Sequence, residues 1–348
     1  MGYNILGINH SHNGSICVLK EGKIDFFLEE DRLSRMKHDW LPIQLLKTIS
    51  KKYKINKIAI GGLTQVFSRK DELLYKTVIE LLFPNTPIED YSESHHLCHI
   101  ASSFFNSKFN KCLGVVIDGN GSHLPSTKGT KAETESIYEL SYSNPPLNIY
   151  KSNRLVNVNE PLSLAKVYEC ITESLGFAWI EAGKTMGLSS YGKPNSNIPP
   201  LYLNGKGNSL LFDNIPESTD GFLNKKYKYL TNSKELQVDL AYKVQQESQQ
   251  AVGDLIEKGL KETNLKQVCC AGGYFLNCVA NYYLTKRFPN IEFYFEPISS
   301  DAGTAIGAAK LAWYHKTQDK IIKPQKTLYY GPKYTKEQLL KRIQKYLD

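Results

Sequence analysis

The chain has 348 residues, 41% of them hydrophobic, which is enough for two domains or for one large duplicated domain. No apolar run approaches the length of a membrane span, and the N-terminal segment lacks the basic region of a signal peptide, so we expect a cytoplasmic protein. The seven cysteines have no regular spacing, which favours reduced thiols, and the net charge of +8 favours anionic ligands such as nucleotides. A nucleic-acid partner is possible on charge alone, but no compact basic stripe with aromatic residues indicates one.

The first part of the chain reads as short strands followed by helices. Apolar, β-prone segments separated by Asn-Gly and Glu-Gly pairs predict strands at 4–8, 15–19, 23–28 and 57–60, and a helix at 71–82. The turn that follows the first strand contains His12, a candidate general base. The charged segment after the third strand contains Lys37, which is either a phosphate contact or ordinary surface charge.

Three histidines then fall within one turn of a predicted helix. His95 and His99 are four residues apart, which places both imidazoles on one helical face, as a pair of metal ligands requires. Downstream, an apolar strand at 113–117 ends in Asp118 and a glycine-rich turn. Two imidazoles and a carboxylate with open positions suit Fe(II) or Zn(II). The alternative is a histidine cluster on the surface of a soluble helix.

The strand pattern of the first part then repeats. Strands predicted at 113–117, 136–141 and 147–151 are followed by helices at 162–175 and 240–260. Two copies of a unit with three strands and then helices predict two similar α/β lobes whose glycine turns face one cleft. This is the layout of duplicated ribonuclease-H-like lobes in the superfamily of actin, heat-shock chaperone ATPases and sugar kinases. We place the lobes at 1–111 and 112–325, with a further C-terminal region at 326–348.

The second lobe contains two junctions from a strand to a helix that are candidates for ligand contacts. Gly272 and Gly273 lie between a strand at 268–271 and a helix that ends near Phe288, where backbone N–H groups can approach a phosphate or ribose. Asp301 lies between a strand at 291–295 and a helix at 304–313. It is either a helix N-cap or a second carboxylate for the histidine pair.

Two further segments of the second lobe are irregular. Residues 182–194 contain a Gly-Lys-Thr sequence but lack the earlier glycine of a P-loop, so we reject a P-loop and retain a nucleotide-contacting loop with Gly183, Lys184 and Gly187. Residues 194–232 are rich in Asn, Gly and Pro, which is typical of an excursion or a mobile loop. We assign this excursion, as a hypothesis, to the recognition of an acceptor substrate.

Taken together, these motifs resemble the carbamoyltransferases of the NodU/CmcH type over nearly the whole chain. The resemblance rests on several motifs in the same order, which are residues 5–9 with His12, residues 29–38, His95 to His99, residues 183–192, residues 272–277 and residues 301–303. It implies a two-lobed fold similar to that of the tRNA threonylcarbamoyl transferase subunit. It also implies transfer of a carbamoyl group from carbamoyladenylate, made from carbamoyl phosphate and ATP, to a small-molecule hydroxyl.

The resemblance implies a role for individual residues. It implies a metal ion, typically Fe(II) although Zn or Mn is an alternative, bound by His95, His99, Asp118 and Asp301. Lys37 would contact the carbamoyladenylate, and His12 would orient or deprotonate the acceptor hydroxyl. Nucleotide contacts would come from the turns of the second lobe, at Asp118, Gly183, Lys184, Gly187, Gly272, Gly273 and Asn277.

One departure from the family pattern changes what we expect of this chain. Family members usually continue into a YrdC-like domain that makes the carbamoyladenylate, whereas this sequence ends at Asp348. We therefore expect a transfer site without adenylate synthesis, with a separate YrdC-like domain or subunit as partner. Two alternatives are an enzyme similar to the tRNA threonylcarbamoyl transferase and a regulator that binds nucleotide and metal without turnover.

Overall fold

The structure, a computed structural model, describes residues 2–62, 69–126, 129–142, 147–155, 162–212 and 223–347. Its strands form two large sheets and one small ribbon. The strands are β1 Asn4–Asn9, β2 Ser15–Lys20, β3 Lys23–Glu29, β4 Lys57–Ile60, β5 Ile88–Asp90, β6 Lys111–Ile117, β7 His123–Ser126, β8 Gly129–Ser141, β9 Leu147–Leu155, β10 Tyr202–Leu203, β11 Lys206–Gly207, β12 Gln267–Ala271 and β13 Glu292–Phe295.

The helices lie on both faces of the sheets and between them. They are α1 Asp31–Ser34, α2 Ile43–Lys52, α3 Arg69–Leu82, α4 His95–Asn106, α5 Leu164–Ser174, α6 Ala182–Leu188, α7 Lys234–Thr263, α8 Cys278–Arg287, α9 Ala302–Thr317 and α10 Lys336–Gln344. The predicted helix at 240–260 is the central part of α7, which begins earlier because the Ser233 side chain caps it by accepting a hydrogen bond from the Leu236 N–H.

The two large sheets share one topology. In the first sheet, of order β3-β2-β1-β4-β5, the central strand β1 pairs antiparallel with β2 and parallel with β4. In the second, β6 pairs antiparallel with β8 and parallel with β12, and β13 follows β12 on the edge. The duplication predicted from the strand pattern is therefore present, and the turns after β1 and β6 occupy equivalent places.

Two helices pack between the sheets and form a core common to both lobes. α4 contacts β6 and β12 of the second sheet, whereas α9 contacts β1, β2 and β4 of the first, and the two helices pack on each other. Small residues permit this approach, because a Cβ atom on Gly307 of α9 would lie 1.8 Å from the carbonyl oxygen of Cys98 in α4. The ends of these two helices consequently meet beside the turns after β1 and β6.

The outer faces of the sheets have separate cores. α2 and α3 cover the first sheet through residues such as Leu45, Leu46 and Ile79. α5 and α7 cover the second sheet through Val167, Ile171 and Val252. The sequence prediction missed several elements, among them α2, α6, α10, β5 and β7.

The excursion at 194–232 is folded where the structure describes it. Residues 213–222 of this segment lie outside the described part of the chain. The remainder packs against the core of the second lobe through Ile198, Leu201, Leu211, Leu223 and Leu230, all of them buried. Of the two predicted alternatives, an excursion or a mobile loop, the described part fits a packed excursion, because its scattered apolar residues are buried against the core of the second lobe.

None of the helices in the described ranges combines the length and the apolar character that crossing a lipid bilayer demands.

Candidate metal centre and the cavity beside it

The histidine helix presents two imidazoles to one point. α4 begins at His95 and is almost entirely buried, so its polar side chains lie in the protein interior. His95 and His99 are one helical turn apart, and their Nε2 atoms are 3.0 Å from each other. Both side chains are no more than 1% exposed. The predicted spacing therefore produces convergent nitrogen atoms, as a metal ion requires.

Two carboxylates from distant parts of the chain face this pair. Asp118 follows β6, and its Oδ2 lies 3.3 Å from His95 Nε2 and 3.6 Å from His99 Nε2. Asp301 stands at the N-cap position of α9, but its side chain makes no capping hydrogen bond. Its Oδ1 lies 3.5 Å from each of the two Nε2 atoms. The structure thus brings together the four residues that the sequence predicts as ligands.

The geometry and charge of this group fit a divalent metal ion. The four donor atoms all lie within 4.8 Å of one another. Ligands that bind one ion at about 2.1 Å stand about 3.0 to 3.4 Å apart, which is close to the distances between these four side chains. Two imidazoles with two carboxylates suit Zn(II) or Fe(II). Burial lowers the pKa of His95, but Asp301 and Asp118 outweigh burial and raise it to about 10. The carboxylates therefore attract positive charge strongly.

His96, between the two candidate ligands, is oriented differently. Its Nδ1 lies 2.8 Å from Ser136 Oγ on β8, and its ring packs against Gly121. Burial lowers the pKa of His96 to about 4, so the ring is neutral at physiological pH. Only two of the three histidines in this turn can therefore be ligands.

His12, in the turn after β1, also approaches the cluster. Its Nδ1 lies 3.4 Å from Asp301 Oδ2, and its side chain is 25% exposed. The ring stands between two indoles, 6.3 Å from Trp40 and 5.3 Å from Trp179. Because Asp301 faces Nδ1, the Nε2 atom is the one left for a substrate.

A cavity of about 250 Å³ opens beside the cluster and is lined by both lobes. One end is polar and the other is largely apolar. The lining residues are His12, Asn13 and His38 of the first lobe, and Asp118, Gly119, Ala165, Tyr168, Glu169, Trp179, Ile180, Ala182, Gly183, Met186, Gly273, Tyr274, Leu276, Asn277, Ser300 and Asp301 of the second.

Of the two glycines after β12, Gly272 is required by the backbone. Gly272 has φ +97°, and a Cβ atom there would lie 2.3 Å from the carbonyl oxygen of Ile117. The turn that results brings Gly273 to the cavity wall, where its N–H donates to Asp118 Oδ1 at 3.2 Å. Asn277 also lines the cavity, but it caps α8, and its Nδ2 donates to Gln245 Oε1 at 2.8 Å.

The predicted nucleotide contacts are only partly brought together. Asp118, Gly183, Gly273 and Asn277 line the cavity, and Gly272 lies directly behind its wall. Three other predicted residues are absent from the lining: Lys37 is exposed, Lys184 pairs with Glu181 at 2.7 Å on the surface, and Gly187 lies in α6. The excursion at 194–232 also contributes no lining residue within its described ranges.

Sequence reasoning missed the contribution of α5 to the cavity. Glu169 lines it, with its Oε1 against Gly119 and its Oε2 accepting a hydrogen bond from Lys166 Nζ at 2.9 Å. Lys166 is buried, with 4% of its side chain exposed. The sequence offered one indication of this pair, a lysine and a glutamate three residues apart on a predicted helix with an apolar face. This spacing alone does not distinguish a buried ion pair from one on the surface.

Comparison with known proteins gives the family to which these features belong. The sequence model described as "Carbamoyltransferase N-terminus" matches residues 72–310, which is more than half of the chain. The chain is 26% identical over 301 residues to the uncharacterized protein MJ1058 of Methanocaldococcus jannaschii, covering 84% of this chain and 48% of that protein. It is 22% identical over 350 residues to the nodulation protein NolNO of Sinorhizobium fredii, covering 92% and 49%. The chain thus spans about half the length of these two relatives.

A solved structure supports the fold. Full-length HypF, crystallised in a phosphate- and nucleotide-bound form, superposes with a TM-score of 0.56 at 14% identity, over 90% of this chain and 56% of HypF. This likeness concerns the fold alone. Together with the repeated sheet topology, it confirms the predicted class of two duplicated α/β lobes.

Proposed function

Since this chain belongs to the carbamoyltransferase family, we propose that it moves a carbamoyl group from carbamoyladenylate to the hydroxyl of a small-molecule acceptor. In this proposal His95, His99, Asp118 and Asp301 hold a divalent metal ion, and His12 serves as the general base. The bound nucleotide occupies the cavity between the lobes.

One observation carries the proposal. Asp301 contacts the paired histidines through one carboxylate oxygen and His12 through the other, at the polar end of a single cavity. A group that binds the donor phosphate and a group that can take a proton are therefore neighbours. Their proximity is what acyl transfer between two bound substrates needs.

The chemistry follows from this arrangement. When bound, the metal ion supplies positive charge that stabilises the phosphate of the departing AMP. The acceptor oxygen attacks the carbamoyl carbon, and the bond between that carbon and the phosphate oxygen breaks. His12 accepts the acceptor's proton at Nε2, while Asp301 faces Nδ1 and stabilises the imidazolium that forms.

The rest of the cavity suits an adenosine moiety. Tyr168, Met186 and Leu276 provide apolar wall for a base. Glu169 presents a carboxylate oxygen to the cavity, and a carboxylate is a common acceptor for ribose hydroxyls. In support, HypF has the same fold and was crystallised with nucleotide and phosphate. We infer that the ribose contacts Glu169 and that the phosphate faces the metal site.

The acceptor enters beside His12. Trp179 and Trp40 flank the His12 ring, and Trp179 also lines the cavity. The acceptor is therefore read by the segment around Trp179 rather than by the excursion at 194–232. A YrdC-like domain or subunit supplies the carbamoyladenylate.

The test measures AMP and pyrophosphate when the chain is incubated with ATP, carbamoyl phosphate and Fe(II), Zn(II) or Mn(II). The incubation is run with and without a separately purified YrdC-like domain, and glycerol serves as a simple alcohol. We expect metal-dependent AMP release above that of the added domain alone, only when both proteins are present. Nucleotide binding without faster AMP release in either case would indicate a binding protein instead.

A further inference from the structure

Ser11 connects the candidate metal site to His12 through the Asp301 carboxylate. Ser11 Oγ donates a hydrogen bond to Asp301 Oδ2 at 2.7 Å, and His12 Nδ1 lies 3.4 Å from the same oxygen. The other oxygen, Oδ1, faces the two histidines of α4. One carboxylate oxygen therefore faces the paired histidines, and the other faces Ser11 and His12. The rotation of the carboxylate decides whether both sets of contacts are made.

The Ser11 hydroxyl is held in place by its own neighbours. The residue is completely buried, and its N–H donates to Asn9 Oδ1 at 3.1 Å. Asn9 is oriented in turn by its Nδ2, which donates to the carbonyl oxygen of Asn13 at 3.1 Å. Asn9 Oδ1 therefore faces Ser11, and the amide cannot turn without losing these bonds.

A single proton on the Ser11 hydroxyl has two acceptors within reach. Oγ lies 2.8 Å from Asn9 Oδ1 and 2.7 Å from Asp301 Oδ2. A hydroxyl has one proton to donate, and an ionised carboxylate is a stronger acceptor than a neutral amide. Three imidazoles, those of His12, His95 and His99, lie within 3.5 Å of the Asp301 carboxylate. The proton therefore lies on the bond to Asp301.

On the basis of the metal site proposed above, we propose that Ser11 is a positioning residue for Asp301. Its hydroxyl fixes the rotation of the carboxylate, so that Oδ1 points to the metal ligands and Oδ2 points to His12. Partners of this kind, which orient a metal ligand, contribute about 10- to 100-fold to metal affinity. Removal of the hydroxyl leaves Oδ2 with His12 alone and frees the carboxylate to turn.

The chain provides a matched control at Ser15. Ser15 is also completely buried beside the same segment, but its Oγ donates to the carbonyl oxygen of Ala302 at 2.8 Å. Its loss removes a hydrogen bond of similar length without touching a carboxylate. Ser15→Ala therefore distinguishes a general loosening of the turn after β1 from a specific effect on the Asp301 carboxylate.

The experiment titrates Zn²⁺ alone into the metal-free full chain by calorimetry, for the wild type and for Ser11→Ala, Ser11→Gly and Ser15→Ala. We expect Ser11→Ala to bind Zn²⁺ about 10- to 100-fold more weakly than wild type, and Ser15→Ala to stay within about threefold. Glycine also lacks the hydroxyl and adds no metal-binding group, so Ser11→Gly should resemble Ser11→Ala. Thermal unfolding of each metal-free variant monitors the fold.

The outcomes separate this inference from the metal site itself. Wild-type affinity in Ser11→Ala or Ser11→Gly, or an equal loss in Ser15→Ala, overturns the positioning role and leaves the metal site standing. Failure of the wild type to bind Zn²⁺ overturns both. If Ser11→Ala does not fold, Ser11→Gly, measured in the same way, decides the question.

Discussion

The turns after β1 and β6 occupy equivalent positions in the two sheets and present different chemical groups. Each follows a central strand with one antiparallel and one parallel neighbour. The first turn provides Ser11 and His12, which can donate or accept a proton. The second provides Asp118, a carboxylate that faces His95 and His99. In the function that we propose, the first turn serves proton transfer and the second serves metal binding.

This division predicts that substitution of His12, in the first turn, leaves metal binding intact. Asp301 and Ser11 are the exceptions, because Asp301 contacts both His12 and the paired histidines, and Ser11 holds its carboxylate. Substitutions in each turn, measured for both metal affinity and transfer, test the division. The following predictions run from the largest expected effect to the smallest.

His12→Gln should abolish transfer and spare the metal. A positioned general base contributes about 10²- to 10⁴-fold, so we expect kcat for AMP release to fall by that factor. Zn²⁺ affinity should stay within about threefold of wild type, because a hydrogen-bond partner remains at Asp301 Oδ2 through Ser11. Transfer at the wild-type rate would remove His12 from the mechanism and contradict the division.

Asp118→Asn should weaken metal binding by at least about 100-fold. Residues that only orient a metal ligand already contribute about 10- to 100-fold to metal affinity, and Asp118 would bind the metal directly. The measurement is Zn²⁺ retained after dialysis against a weak chelator. His96→Gln is the matched control, because His96 is equally buried in the same helical turn but faces Ser136. A similar loss of metal in both variants would show that the effect comes from general disruption of α4.

Much of the fold and of the candidate site could be predicted from the sequence, and the features that could not be predicted depend on contacts between distant parts of the chain. The strands β1, β2, β3 and β6 stand out because each is an apolar run bounded by turn residues, and His95 and His99 stand out because helical spacing is local. Asp301 could not be assigned, since an N-cap and a ligand look alike in sequence. Its bond to Ser11 joins residues 290 positions apart, and only the packing of α9 on β1 brings them together.

Glu169→Gln should reduce nucleotide affinity by about tenfold. Glutamine still accepts a hydrogen bond, so the loss is the difference of about 1 to 1.5 kcal/mol between a hydrogen bond to a charged group and one to a neutral group. The wild type should prefer ATP to 2′,3′-dideoxy-ATP in calorimetry, and the variant should lose most of that preference. Glu262→Gln, at the exposed end of α7, is the control. An unchanged preference in Glu169→Gln would place the ribose elsewhere in the cavity.

Lys37→Ala should change nucleotide affinity by less than about threefold, because the side chain is exposed and lies outside the cavity lining, where a single charge contributes little. Lys184→Ala, which removes another exposed lysine, provides the comparison. A selective loss of tenfold or more in Lys37→Ala would show that Lys37 contacts the bound adenylate, as the family resemblance implies.

The most direct test of the account is the position of the metal ion relative to His12. Crystals of the chain soaked with Zn²⁺ and a non-hydrolysable carbamoyladenylate analogue would be measured at the zinc absorption edge. We predict one anomalous peak between His95, His99, Asp118 and Asp301, with the analogue's phosphate bound to it and the carbamoyl group next to His12 Nε2. A phosphate bound away from that peak, or no peak at these four residues, would contradict the account.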